Sequence, residues 1–110
     1  MIYLELKFSE EELQEIETLA GAGYSPEKIA MYLDVPKLKF IKEWKHPDTL
    51  VRYHYDRGLL VDSAAIAMKL AENAKGGNIT AIQQLDKIQR AQRVENLKKK
   101  YLYGEEIDGL

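Results

Sequence analysis

The sequence predicts an all-α protein, with an N-terminal three-helix unit, a long antiparallel helical hairpin after it and a short extended arm in front. Two observations favour this fold class. Apolar residues recur at intervals of three and four from Leu13 onward, which is the spacing of amphipathic helices. Helix-start and helix-stop signals also divide the chain into five segments. The composition, 45% hydrophobic and 31% charged, is typical of a folded globular domain of 110 residues.

Residues 1–8 follow a different pattern from the rest of the chain. Ile2, Leu4, Leu6 and Phe8 alternate with other side chains, and this period of two predicts an extended arm. A lone strand has no hydrogen-bond partners of its own. We therefore expect the arm to pair with another chain, pack on the helices or remain mobile.

The three-helix unit is predicted over residues 9–46. Ser9 and Glu12 form a capping box at the start of the first helix, and residues 21–23 (Gly-Ala-Gly) stop it. Its apolar face consists of Leu13, Ile16, Leu19 and Ala20. Ser25 followed by Pro26 is a second strong start signal, because serine caps helices and proline suits the first helical position.

A turn at residues 34–36 separates the second helix from the third. The residue before a proline avoids helical geometry, so Val35 is a break in front of Pro36. Ile29, Ala30 and Leu33 are predicted to face inward from the second helix. The third helix is predicted to run to about Lys45, with Leu38, Ile41 and Trp44 on its apolar side and Phe40 as a further candidate.

Residues 47–103 are predicted to form the helical hairpin. Its first helix runs from Asp48 to about Lys75, with Gly58 expected to weaken or kink it, and its second starts at the cap residue Asn78. Such a pair has more apolar surface than it can bury alone, so it should pack on the N-terminal unit or on a copy of itself. The candidate assembly residues are Leu60, Ala64, Met68, Ile82, Leu85 and Ile88. Residues 104–110 are predicted to be a flexible acidic tail.

No group of residues in the sequence predicts catalysis. The two histidines, His46 and His54, are eight positions apart, which is not a metal-ligand spacing, so both are predicted to be solvated. The chain has no cysteine and no glycine-rich phosphate loop after a strand. The sequence therefore predicts a protein that is not an enzyme and has no metal or cofactor. No apolar run approaches the roughly 20 residues of a membrane span, and no signal peptide is visible, so no membrane partner is expected.

The second and third helices together predict a helix-turn-helix. Ala30 is small enough for the third helix to cross close over the second. The third helix has one acid, Glu43, and the candidate DNA-binding residues are Lys37, Lys39, Lys42, Lys45 and, just beyond it, Arg52. Lysines without asparagine or glutamine favour contacts to phosphates over reading of bases. The net charge of -2 argues against strong non-specific binding, and a solvated lysine face is the alternative explanation.

The order of these parts resembles the small terminase subunit of tailed bacteriophages and related phage helix-turn-helix proteins. The resemblance covers roughly residues 10 to 90. It rests on residues 23–33 (GYSPEKIAMYL), 40–44 (FIKEW), 46–48 (HPD) with Tyr55 and Gly58, and 65–81.

The resemblance implies a non-enzymatic adaptor that recognises viral double-stranded DNA for packaging. In that family the central helices assemble a ring, so residues 47–103 would form a homo-oligomer. The C-terminal residues 101–110 would contact the large terminase subunit, in the cytoplasm of the host. Two departures, the short chain and the lack of base-reading side chains in the third helix, leave an alternative open. That alternative is a helical interaction or structural module that binds protein and no nucleic acid.

Overall fold

The computed structural model describes residues 6–103, which form five α-helices and no strand. The helices are α1 (Glu10–Gly21), α2 (Pro26–Leu33), α3 (Lys37–Lys45), α4 (Leu50–Lys75) and α5 (Ile79–Tyr103). The all-α prediction is confirmed over these residues. Of the predicted arm, residues 6–8 have no regular secondary structure and residues 1–5 lie outside the described part. The predicted acidic tail, residues 104–110, lies outside it as well.

The predicted helix caps are present in the structure. The Ser9 hydroxyl accepts a hydrogen bond from the Glu12 amide at 3.1 Å, and the Glu12 carboxylate accepts one from the Ser9 amide at 3.0 Å. The Ser25 hydroxyl accepts the Lys28 amide at 3.3 Å, with Pro26 at the first helical position. These bonds satisfy amide groups that have no partner within the helix, and so they fix where α1 and α2 begin.

The chain divides into two compact units, Met1–Ala65 and Ile66–Leu110, and the division falls inside α4. The N-terminal unit contains residues 50–65 of α4 in addition to α1, α2 and α3, whereas the predicted helix-turn-helix unit covers residues 9–46. Its core consists of fully or almost fully buried residues from α1 to α4, namely Ile16, Ala20, Ile29, Ala30, Phe40 and Val51. Phe8 packs edge-on against Phe40, with ring centroids 6.2 Å apart.

The apolar side of α3 differs from the prediction at one position. Phe40 is fully buried and Ile41 and Trp44 are half-buried, but Leu38 is 79% exposed. The inward direction of α3 is set by Phe40, and a residue two positions away is rotated by about 200° around a helix. The prediction that Leu38 faces the core was therefore wrong.

Gly58 has a role that its place inside a helix did not suggest. It is buried, and a Cβ atom added to it would lie 2.2 Å from the carbonyl oxygen of Glu17 in α1. Residues 50–75 form one helix, so the glycine does not interrupt α4. Its missing side chain instead lets the backbones of α1 and α4 come into contact.

In the second unit, a glycine turn connects the end of α4 to α5. Gly77 has a φ of 90°, a value that glycine adopts without strain, and the Asn78 amide donates to the Asn73 carbonyl at 3.2 Å. The Asn78 side chain then accepts the Ala81 amide at 3.0 Å, so the predicted cap is present. Ala81 is buried, whereas the isoleucine, leucine and valine residues between positions 79 and 97 of α5 are half-buried or exposed.

Candidate nucleic-acid interface

The turn between α2 and α3 is tight and is held by backbone hydrogen bonds. Asp34 adopts left-handed helical geometry, with φ 57° and ψ 47°, which turns the chain sharply at the end of α2. The Val35 amide donates to the Ala30 carbonyl at 3.1 Å, and the Phe40 amide donates to the Pro36 carbonyl at 3.0 Å. Ala30 is completely buried, and α2 packs on α3. A larger side chain at Ala30 would displace the residues packed around it in the core.

The two faces of α3 differ sharply in chemistry. Phe40 and Glu43 are buried, whereas Lys37, Lys39, Lys42 and Lys45 are all exposed. The Leu6 amide donates to one carboxylate oxygen of Glu43 at 3.3 Å, which ties the only acid of this nine-residue helix to the chain segment before α1. The outer face of α3 consequently has four cations and no anion.

Lys37 forms only a long, exposed ion pair with a neighbouring helix. The Lys37 ammonium lies 3.9 Å from the Glu27 carboxylate at the start of α2, and both side chains are 61% exposed. An ion pair this exposed and this long contributes little to stability. All four lysines predicted to contact DNA from α3 are exposed to solvent.

Arg52 has a different environment from these lysines. Its guanidinium donates to the Trp44 carbonyl at 3.1 Å and to both carboxylate oxygens of Asp56 at 3.0 and 3.1 Å. It also lies 4.9 Å from the centre of the Trp44 ring. The structure thus packs Arg52 against Trp44 at the junction of α3 and α4 and pairs its charge with Asp56.

Thr49 is a buried cap that the sequence reasoning missed. Its hydroxyl group donates to the Glu43 carbonyl oxygen at 2.7 Å and lies 3.0 Å from the His46 carbonyl oxygen. The hydroxyl oxygen also accepts a hydrogen bond from the Arg52 amide at 3.2 Å. One side chain therefore closes the end of α3 and opens α4. Threonine is a known cap residue at the start of a helix, but aspartate is a stronger one, and Asp48 directly precedes Thr49. In the structure Asp48 is exposed and Thr49 is the cap.

A second missed cluster lies between α1 and the first half of α4. The Glu17 side chain is only 7% exposed, and its two carboxylate oxygens contact His54 Nδ1 and Arg57 Nη1. Burial by itself raises the pKa of Glu17, but the hydrogen bonds and positive charges of His54 and Arg57 outweigh it and lower the pKa below 4.5. The prediction that both histidines are solvated was wrong for His54 and is confirmed for His46, which is exposed.

The predicted assembly residues are accessible to different degrees. Leu60, Met68 and Ile82 are exposed, whereas Ala64, Leu85 and Ile88 are half-buried. Leu60, Ala64 and Met68 are spaced by four and so follow one side of α4. Exposed leucine, methionine and isoleucine side chains on long helices are available for packing against another chain.

No protein-family model, curated protein or solved structure matches the chain. Within residues 6–103, no group of three or more histidine and acidic side chains is placed to hold a metal ion. None of the helices there is both long and apolar enough to cross a membrane. Function is therefore inferred from the side chains of the described residues, and above all from those of α3.

Proposed function

We propose that the protein is a non-enzymatic DNA-binding adaptor that resembles the small terminase subunit, recognises viral double-stranded DNA for packaging and assembles as an oligomer. The observation that supports this is the outer face of α3, which has four exposed lysines while the one acid of the helix, Glu43, is buried. In the proposal, α2, the turn at Asp34 and α3 form the helix-turn-helix.

The chemistry of this face suits a polyanion. Double-stranded DNA presents a dense row of phosphates, and each phosphate that a lysine neutralises releases a condensed counterion. A short helix after a tight turn is also the element that a helix-turn-helix places in the major groove. Because the whole chain has a charge of -2, the attraction is local to α3, and binding should be weak for one copy and sensitive to salt.

Assembly into an oligomer raises the affinity for DNA above that of a single, weakly binding copy. When several copies are joined, the binding of one copy raises the effective concentration of the next at the DNA. We assign assembly to α4 and α5, arranged as an antiparallel hairpin, with exposed residues such as Met68 and Ile82 at the contact between copies. The large terminase subunit is the proposed partner of the oligomer.

A titration with fluorescent double-stranded DNA at low salt tests the DNA-binding role. The double variant Lys39→Glu/Lys45→Glu should bind at least about tenfold more weakly than the unaltered chain, because two attractions become repulsions. Lys87→Glu/Lys98→Glu in α5 is the matched control, since it changes the net charge by the same amount and both lysines are also exposed. Failure of the unaltered chain to bind, or equal binding by all three proteins, would contradict the proposal.

A second candidate function is a helical interaction module that binds only protein. It is favoured by the apolar groove on the outer side of α2, about 430 Å³ in volume and lined by Leu19, Tyr24, Lys28, Met31 and Tyr32. Met31 and Tyr32 are exposed there although both are large and mostly apolar. Light scattering of the chain with and without DNA separates the two functions. An oligomer that does not bind DNA at low salt supports the module and excludes the adaptor.

A further inference from the structure

One apolar side chain interrupts the cationic outer face of α3. Leu38 is 79% exposed, and it lies between the exposed residues Lys37 and Lys39 in sequence. Lys42 and Lys45 follow Leu38 at intervals of four and three, so the three side chains form one stripe along the helix. The buried Phe40 lies on the opposite side. Leu38 is therefore near the middle of the surface that points away from the core.

Leu38 also lies at the N-terminal end of α3, the part of a recognition helix that approaches the bases. It is the second residue of α3, which begins at Lys37 directly after the turn. In a helix-turn-helix, the N-terminal residues of the second helix approach the base edges, while flanking cations contact the phosphates. If α3 lies in the major groove, as the proposed function requires, Leu38 is the side chain directed at the floor of the groove.

The floor of the major groove contains one apolar group, the C5-methyl of thymine. Other features of the base edges there are hydrogen-bond donors and acceptors, which a leucine cannot pair. We propose that Leu38 packs against thymine methyl groups and gives the protein a preference for A·T-containing sites. This inference rests on the proposed DNA-binding function and adds base discrimination, which lysine contacts to phosphates do not provide.

The test compares two short duplexes of the same mixed sequence, one with thymine and one with uracil at every thymine position. Uracil lacks only the methyl group, so charge and base pairing are unchanged. The unaltered chain should bind the thymine duplex roughly three- to fourfold more tightly, the value of burying about one methyl group. In Leu38→Ala the two affinities should become equal, because alanine does not reach the methyl.

Met31→Ala supplies the matched control. Met31 is 80% exposed, as apolar as Leu38 and located on α2, outside the lysine face. This variant should keep the preference for thymine. Because both substituted side chains are on the surface, both variants should fold, and circular dichroism spectra that match the unaltered chain verify this.

Each outcome has a distinct meaning. Equal binding of the thymine and uracil duplexes by the unaltered chain overturns the Leu38 inference and leaves the DNA-binding function intact. A preference that survives in Leu38→Ala also overturns it, since another group must then detect the methyl. No binding to either duplex overturns the proposed function and the inference together.

Discussion

Gly58 in α4 lies directly against the backbone of Glu17 in α1. A Cβ atom on Gly58 would be 2.2 Å from the Glu17 carbonyl oxygen and 2.8 Å from its carbonyl carbon. These are backbone atoms inside a helix, which cannot move aside as the end of a flexible side chain can. The contact therefore restricts this position to glycine and sets the distance between the two helices.

Replacing Gly58 by alanine should destabilise the N-terminal unit. Alanine favours a helix over glycine by up to about 1 kcal/mol, but forcing the two helices apart costs about 1–3 kcal/mol or more. We expect a net loss of about 2 kcal/mol in the free energy of unfolding, measured by urea denaturation. Gly76→Ala is the control, since its added Cβ would lie 3.4 Å from the Asn73 carbonyl oxygen. Equal stability of Gly58→Ala and the unaltered chain would contradict the observed contact.

The sequence predicted the helices well because their ends depend on local signals. Ser9, Ser25 and Asn78 each act within three residues of their partners, and the structure confirms all three caps. The contact between Gly58 and Glu17 joins residues that are far apart in the chain, and no local sequence pattern indicates it. The same is true of the pairing of Glu17 with His54 and Arg57, which are 37 and 40 positions away.

The residues of the candidate site could be predicted from the sequence, but the directions in which their side chains point could not. The lysines could be listed from the sequence, but whether Glu43 cancels their charge depends on which way it points. Phe40 and Glu43 together occupy the inward side of α3, and this rotation also exposes Leu38. Helical spacing alone did not decide between a core built on Leu38 and one built on Phe40, because α3 has only nine residues.

The buried carboxylate of Glu17 predicts a loss of stability in acid. Its pKa is lower in the folded chain than its usual value of 4.5, so folding favours the charged form. This contribution is fully present above pH 4.5 and is lost as the pH falls through the lower folded pKa. Glu17→Gln should cost about 2 kcal/mol at neutral pH, because His54 and Arg57 lose a charged partner. The substitution should also make the free energy of unfolding depend less on pH below neutrality.

Unfolding by urea at a series of pH values measures this effect. Glu72→Gln is the control, since Glu72 has a 73% exposed side chain and only a surface pairing with Lys69. In the control, the free energy of unfolding should fall with decreasing pH as steeply as it does in the unaltered chain. If Glu17→Gln shows the same slope as the control, the paired carboxylate is not the source of the acid sensitivity.

Removal of the Thr49 hydroxyl should loosen the junction between α3 and α4. Valine keeps the shape of threonine but leaves the Glu43 carbonyl and the Arg52 amide without this partner. We expect Thr49→Val to lose about 1–2 kcal/mol in the free energy of unfolding, as for other helix caps and buried hydrogen bonds. Thr80→Val, at an exposed position of α5, should change stability by less than about 0.5 kcal/mol. Equal effects of the two substitutions would show that the buried hydroxyl has no special role.

The salt dependence of DNA binding should show how many lysines of α3 contact phosphates. The logarithm of the binding constant falls linearly with the logarithm of the salt concentration, with a slope close to the number of neutralised phosphates. Removing one contact, as in Lys39→Gln or Lys45→Gln, should reduce that slope by about one. Leu38→Ala should leave the slope unchanged, because leucine neutralises no phosphate, even if the affinity falls. Titrations at four or more salt concentrations give each slope, and an unchanged slope in both lysine variants would place the phosphate contacts elsewhere on the protein.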